Sequence, residues 1–597
     1  MMPDLSPEQR DIVELPLKLM SVVACAGSGK TMTAVHRLAR MRRLYNGPGV
    51  VALLSFSNVA VDTFRREYSA LMRDAPAIGR GFAVEIDTMD GFITTNVLRP
   101  HGHRLMQCDR TPYLVDGHES FLNSFKVYDG TRSHKVGDVV IAYDNGQFRY
   151  EAGRASQVIP AKFGAAGIAK LGKTGAYTHA AGRYWVIRTL QEQRFVLRAF
   201  ARRYPHILID EAQDIGPEHQ AILELLIGAG SEVSLIGDPN QGIYEFAHAD
   251  GRFLRDYGSR AGVAPHSLTV NFRSVPSILK VANILTGRRD TAKREEPTDR
   301  HAAFYMPFKA TERTKALASF QSLMRAAGIE PAKGVVLCRS ADWAADWSGE
   351  GGGQGVGVVR CFANAAISRD QHKNYRQAFA HAAVGLVGLL APRHCALATQ
   401  LERTSDPVMR GLRRALWCFV RDAGAGLPSA FLAADTDWHP QLSARIRPFL
   451  DQIARDFGLS LADNLGNRLA RKKLQNRPLV EVPDLASTDV LQCRVSTVHK
   501  VKGESLEAVL YVAKKGHVRA LLDGTASEEG RIGYVALTRA RNLFVLAVPD
   551  ASLAEFAPDL EAKGLRRAGF ADQARDRETN LVRRVPEEGD AVVGSQG

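Results

Sequence analysis

The ten residues VVACAGSGKT (22–31) constrain this chain more than any other stretch. An apolar run that gives way to a glycine-rich turn and then to a helical pattern reads as strand, loop and helix, the opening unit of a parallel α/β sheet. Backbone N–H groups from Ala26 to Thr31 would cradle a phosphate, Lys30 would reach the β- and γ-oxygens, and the Thr31 hydroxyl would hold Mg²⁺. The loop runs Ala24, Cys25, Ala26, Gly27, Ser28, Gly29, with Ala24 where the pattern usually begins on glycine. HILIDEAQD (206–214) supplies the complement. After its buried strand, Asp210 can bind Mg²⁺ and Glu211 can activate water on a γ-phosphate. The two motifs together specify hydrolysis of a nucleoside triphosphate and leave its use open. A second lysine- and glycine-bearing stretch, KLGKTG (170–175), lacks a preceding strand and reads as flexible surface.

At 597 residues the chain is too long for one core. Short apolar runs alternate with helical patterns. VVALLSF (50–56), HILID (206–210) and VSLIG (233–237) form one set of buried parallel strands, with polar residues at their carboxyl ends. GVVLCRS (334–340), EAVLYVA (507–513) and LFVLAV (543–548) form a second set. The expected organisation is a first α/β core from 1–100 and 196–265, and a second from 266–345 and 487–560. An insertion at 101–195 carries two β runs around Asn145-Gly146, a type I′ hairpin signal. A mostly helical, basic insertion at 346–486 opens with the flexible GEGGGQGVG, and 561–597 reads as a disordered tail.

The net charge of +14 favours a polyanionic partner, nucleic acid first. Basic runs such as RLARKKLQNR (468–477) suit phosphate contacts or a solvated helix face equally well. The seven cysteines include no CxxC, which argues against a disulfide scaffold, structural zinc or an iron–sulfur cluster and for free thiols in a reducing cytosol. The acidic, proline-broken start MMPDLSPEQRDIVELP carries no secretory signal. The longest apolar stretch, AFAHAAVGLVGLLAP, is interrupted by His381 and too short to span a bilayer. The expectation is a protein of a bacterial-type cytosol, associated with the nucleoid, with no membrane partner.

In order along the chain stand LSPEQR (5–10), ACAGSGKT (24–31), LLSFSNVAVDTF (53–64), DEAQD (210–214), IGDPNQGIYEF (236–246), NFRS (271–274), STVHKVKGES (496–505) and YVALTRA (534–540). This series resembles the ordered motifs of superfamily 1 helicases of the UvrD/Rep/PcrA type and covers nearly all of both cores, while neither insertion matches. The resemblance implies two RecA-like P-loop domains with parallel sheets, each carrying an inserted subdomain, and ATP with Mg²⁺ in the cleft between them. It implies that Gln9 reads the adenine edge, Phe272 stacks on the base, and Gln241 senses the γ-phosphate and the attacking water. Arg273 and Arg539 would reach from the second domain to neutralise transition-state charge, and Glu504 or Glu507 would meet the ribose.

A DNA strand would cross the tops of both cores. Phe56, Tyr244 and Phe246 lie on loops after strands, suited to stacking bases without sequence preference. Asn58, Thr88, Thr497 and His499 match family positions that touch the strand. The implied activity is that of an ATP-dependent single-stranded DNA translocase and helicase moving 3′ to 5′ on single-stranded and forked DNA, in repair, recombination or replication restart. The alternative is an ATPase subunit or DNA sensor working with a partner nuclease or repair protein, as in phage defence. Met32 stands where the family often has arginine, and FAHA leaves Ala247 where it has a cation. Both insertions are shorter than in replicative and repair members.

Overall fold

The structure, a computed structural model, describes residues 5–73, 84–115, 120–144, 146–152, 157–243, 251–348, 355, 357–371, 373–391, 394, 397, 401, 407–472, 474, 476, 478–480 and 493–568. Two helices bracket the phosphate loop. Helix α1 (Pro7–Glu14) starts on a capping box in which the Ser6 hydroxyl accepts the Gln9 N–H and the Gln9 carboxamide oxygen accepts the Ser6 N–H. Helix α2 (Lys30–Leu44) starts directly after the loop. Strands β1 (Met20–Ala24), β2 (Val51–Ser55) and β3 (Val84–Thr88) precede the first insertion, whose hairpin is β4 (Val139–Asp144) and β5 (Gln147–Ala152). After it come β6 (His206–Ile209), β7 (Glu232–Gly237) and β8 (Ala264–Leu268).

These strands build a six-stranded, all-parallel sheet in the order β8-β1-β7-β6-β2-β3. Every residue of β2 and β6 is buried, as expected for strands covered by helices on both faces. Because β1, β7 and β6 are neighbours, the loops at their carboxyl ends, which carry Lys30, Asp238 and Asp210, open side by side. Strand β8 pairs with β1 as far as Leu268, past the boundary expected at 265.

The first insertion does not stand apart. Val127, Ile141 and Tyr150 belong to the same apolar cluster as Ala52, Leu54 and Ile209 of the sheet. Strands β4 and β5 pair as an antiparallel hairpin, with Asp144 opposite Gln147 and Gly146 at φ 81°; Asn145 lies outside the described residues. KLGKTG is not flexible surface. It begins inside helix α3 (Ala161–Gly172), where Leu171 and Gly172 are buried, and its glycines admit close neighbours. A Cβ on Gly164 would lie 2.3 Å from the Tyr150 ring, and one on Gly172 would lie 2.7 Å from Trp185.

The second sheet is built from β9 (Ala303–Phe308), β10 (Gly334–Cys338), β11 (Arg494–Thr497), β12 (Leu506–Val512), β13 (Ala540–Pro549) and β14 (Arg566–Arg567). Its order is β11-β10-β12-β13-β9-β14, again all parallel. The period-two alternation of a strand divides its core between two faces. Tyr305, Val335, Leu337, Val509, Tyr511 and Phe544 fill one side; Phe304, Met306, Val336, Leu510, Leu543 and Val545 fill the other. Strand β14 corrects the expected disordered tail. Leu565 and Ala568 are buried beside it, so residues 561–568 complete the sheet edge, while 569–597 lie outside the described residues.

The second insertion has its own core, running from Val359 to Val480 and centred on Trp438, Leu442, Ile446, Leu450 and Ile453. Most of GEGGGQGVG lies outside the described residues. Among the described residues no helix is long and apolar enough to cross a membrane.

Candidate active site

The phosphate loop takes the conformation its glycines permit. Gly27 and Gly29 sit at φ 73° and 77°, in the left-handed region where a side chain is strained. Gly27 is also a point of close approach, because a Cβ there would lie 2.6 Å from the Arg273 Cβ. The Ser28 hydroxyl donates to the Cys25 carbonyl at 2.9 Å, closing the loop on itself. Gln9, fully buried, donates from Nε2 to the Ser28 carbonyl at 2.9 Å, so both ends of its carboxamide are engaged by the protein. Lys30 begins α2 and is buried; Thr31, next to it, is half-buried. Burial pushes the Cys25 thiol up to about 12, with Asp290 adding to the effect.

The carboxylates follow β6. The Asp210 N–H is held by the Leu54 carbonyl of β2 at 2.9 Å, and its Oδ1 is buried without a hydrogen-bond partner. Burial, with the adjacent Glu211 charge, drives the Asp210 carboxyl well above its usual range. Glu211 sits at φ 55°, an uncommon conformation for a non-glycine residue and one that marks stored strain at a site. Burial raises its carboxyl, but Lys30 and then Lys502 outweigh this and hold it below its usual range. Gln213 ties the cluster together, donating to the Glu211 carboxylate and accepting the Asp238 N–H at 3.0 Å. Gln241 in turn donates to Asp238 at 2.7 Å.

The second sheet closes over this cluster. Arg539, the last residue of helix α4 (Glu528–Arg539), is 2% exposed and donates from Nη2 to the Gln241 carboxamide oxygen at 2.9 Å across 298 residues of sequence. Its Nη1 reaches the Glu504 carbonyl at 3.3 Å, and its buried Nε has no partner. Arg273 donates to the Thr538 carbonyl at 3.0 Å. Burial lowers the affinity of both guanidinium groups for their protons, and Arg539 lowers that of Arg273 further. Two cations thus share a cleft with Glu211, an arrangement in which added anionic charge is welcome.

Sequence reasoning missed the strongest bridges. Lys502 Nζ donates to both oxygens of Asp214, at 2.7 and 2.6 Å, with the two side chains 9% and 5% exposed. Arg531 donates from Nε to the Gly242 carbonyl at 2.5 Å, and Thr525 donates to Asn240 at 2.7 Å. Asn271, buried, donates to the Ala26 carbonyl at 2.6 Å. Asp214 and Lys502 lie inside motifs already recognised, yet nothing local pairs them.

The residues expected along a DNA strand are distributed as follows. Phe56 is half-buried with its ring edge-on to His219, centroids 5.4 Å apart at 71°, and Asn58 is exposed at a helix start. Thr88 caps a helix by accepting the Gly91 N–H at 3.0 Å. Thr497 is buried and accepts the Lys500 N–H at 3.3 Å. His499 bonds the Ile243 carbonyl at 3.1 Å across the cleft, and burial lowers its pKa. Tyr244, Phe246 and Ala247 lie outside the described residues. Phe272 is half-buried and donates its N–H to the Gly27 carbonyl at 2.9 Å. The Glu504 carboxylate pairs with Arg494 at 2.5 Å, while Glu507 pairs with Arg541 and Asn542.

Residues 5–157 and 178–260 match the family model for the UvrD/REP helicase N-terminal domain. The interval between the two matched segments holds the glycine-rich helix α3. ATP-dependent DNA helicase UvrD2 of Mycobacterium tuberculosis is 25% identical over 90% of this chain and 77% of its own length. DNA helicase II of Escherichia coli is 26% identical over 47% of this chain and 40% of that protein. ATP-dependent DNA helicase UvrD1 of Mycobacterium tuberculosis is 24% identical over 49% and 40%. With two parallel α/β sheets meeting over a phosphate loop, the chain carries a UvrD/REP helicase N-terminal domain at 5–157 and 178–260 and is similar along most of its length to UvrD-like helicases of superfamily 1.

Proposed function

We propose that this chain hydrolyses ATP between its two sheets and uses the cycle to move along single-stranded DNA, 3′ to 5′, separating duplex ahead of it. The observation that carries the reading is the hydrogen bond from Arg539 to Gln241, since it brings the far end of the chain to the carboxylates beside Lys30. The relatives named as ATP-dependent DNA helicases support the nucleotide and the track. In this reading the loop from Ala24 to Thr31 binds the phosphates, and Glu211, kept ionised by Lys30, orients and deprotonates the attacking water. Gln241 positions that water, and Arg273 and Arg539 neutralise the charge that develops on the transferring phosphoryl group. The buried, unpartnered Asp210 Oδ1, within the electrostatic reach of Lys30, fits a hard divalent cation. Mg²⁺ bound there would offset charge on the β- and γ-oxygens.

Single strands would stack on Phe56, Tyr244 and Phe246 and run past Asn58, Thr88, Thr497 and His499. His499 and Lys502 sit on one loop that bonds the first domain, so a strand on that loop tightens the cleft and speeds hydrolysis. The test is ATP turnover with and without single-stranded DNA, together with unwinding of duplexes bearing 3′ or 5′ tails. Stimulation by single strands, loss of turnover in Lys30→Ala, and unwinding from 3′ tails are expected. Turnover indifferent to DNA would refute the motor, and unwinding from 5′ tails alone would refute the direction.

A further inference from the structure

The chain crosses from the first sheet to the second through residues 269–275, and the anchors of that crossing divide by domain. Thr269 donates from its N–H and its hydroxyl to the Glu8 carboxylate of α1 at 2.8 and 2.5 Å. At the other end the Ser274 hydroxyl donates to the Ala540 carbonyl at 2.7 Å, and the Val275 N–H to the Arg541 carbonyl at 2.9 Å. Asn271 lies between these anchors. Its Oδ1 accepts the N–H groups of Arg273 and Ser274 at 2.9 and 2.7 Å, and its Nδ2 donates to the Ala26 carbonyl at 2.6 Å. The Phe272 N–H takes the next carbonyl, Gly27, at 2.9 Å.

A loop that turns its N–H groups inward to a phosphate must turn its carbonyls outward. Outward, here, is the crossing segment. The oxygen of Asn271 organises a local turn, for which any short acceptor suffices. Its nitrogen is not needed for that turn and reaches a different domain.

We propose that Asn271 is a positioning residue whose Nδ2 passes the setting of the phosphate loop to the crossing segment, so that a filled loop places Arg273 and closes the second domain. This deepens the nucleotide reading given above and rests on it. Asn271 touches no reacting atom; it acts through Arg273, two residues on.

Asn271→Asp separates the two halves of the side chain, keeping the accepting oxygen and removing the donor. Hydrogen exchange of the full chain, with and without ADP or ATPγS, reads the coupling directly. In the unsubstituted protein nucleotide should protect both 25–31 and 269–275. In the variant 25–31 should stay protected while 269–275 loses its response. DNA-stimulated kcat should fall about tenfold with KM for ATP little changed, and in an Arg273→Ala background Asn271→Asp should bring no further loss, as for groups acting as one unit. Asn271→Ser, which can hold the turn but cannot reach Ala26, should repeat this result if the aspartate disturbs folding.

An undiminished response of 269–275, an unchanged kcat, or losses that multiply in the double variant would each overturn the proposal. No protection at 25–31 in the unsubstituted chain would sink the nucleotide reading itself and this inference with it, a result distinct from the others.

Discussion

Asp214 and Lys502 bridge the domains where little water reaches either, and the balance between their attraction and the cost of burial sets a pH dependence. Burial pushes the Asp214 carboxyl from 3.8 up to about 6, against the pull of Lys502. A carboxyl whose pKa is raised on folding binds its proton more tightly in the folded state, so stability is greatest below 3.8 and is lost as pH rises through about 6. The expected outcome is that the stability of the unsubstituted protein declines as pH rises from 3.8 to about 6, and that Asp214→Asn, which cannot titrate, loses this part of the pH dependence. Denaturant melts of both proteins across that range would check it; an opposite trend would mean that the ion pair outweighs burial. At this scale the sequence was readable where chemistry is local. Lys30, Asp210 and Glu211 follow strands that announce them. Lys502 and Asn271 escaped because their partners lie 288 and 245 residues away, and no spacing rule connects them. Gln9 was found by resemblance, yet its second use, capping α1 while holding Ser28, comes from geometry alone.

Among the elements, the buried strands were the most legible, since continuous apolar runs ending in polar turns leave few alternatives. Helix α3 was misread for a physical reason. Lysines and glycines without a strand nearby look like solvated surface, but in a helix the glycines let bulky side chains approach the backbone. Gly164 faces Tyr150 at a distance where no Cβ fits without displacing the ring. Gly164→Val is therefore expected to destabilise the first domain by about 1–3 kcal/mol, the usual penalty for overpacking. The lowered melting midpoint should appear with ATP turnover intact well below it. An unchanged midpoint would show that the contact is loose. Strand β14 was missed because two exposed arginines carry no strand signal; their pairing with β9 is a backbone ladder joined by the Arg566 guanidinium, 5.2 Å from the centroid of the Phe304 ring.

For the whole molecule, two parallel sheets and a cleft between them followed from motif order, whereas the manner of attachment of the insertions did not. One shares the core of the first sheet and the other folds around its own. What unites the molecule is the closure of the second sheet on the phosphate loop, and the buried Arg539 is a witness to it. An arginine supplied to a phosphoryl transfer is worth about 10³–10⁵ in turnover. The most direct measurement is DNA-stimulated ATP turnover in Arg539→Ala, taken beside nucleotide affinity and the melting midpoint of the same preparation. The account predicts that kcat falls at least about 10³-fold while affinity changes little and the fold persists. Stimulated turnover at the unsubstituted rate would contradict it.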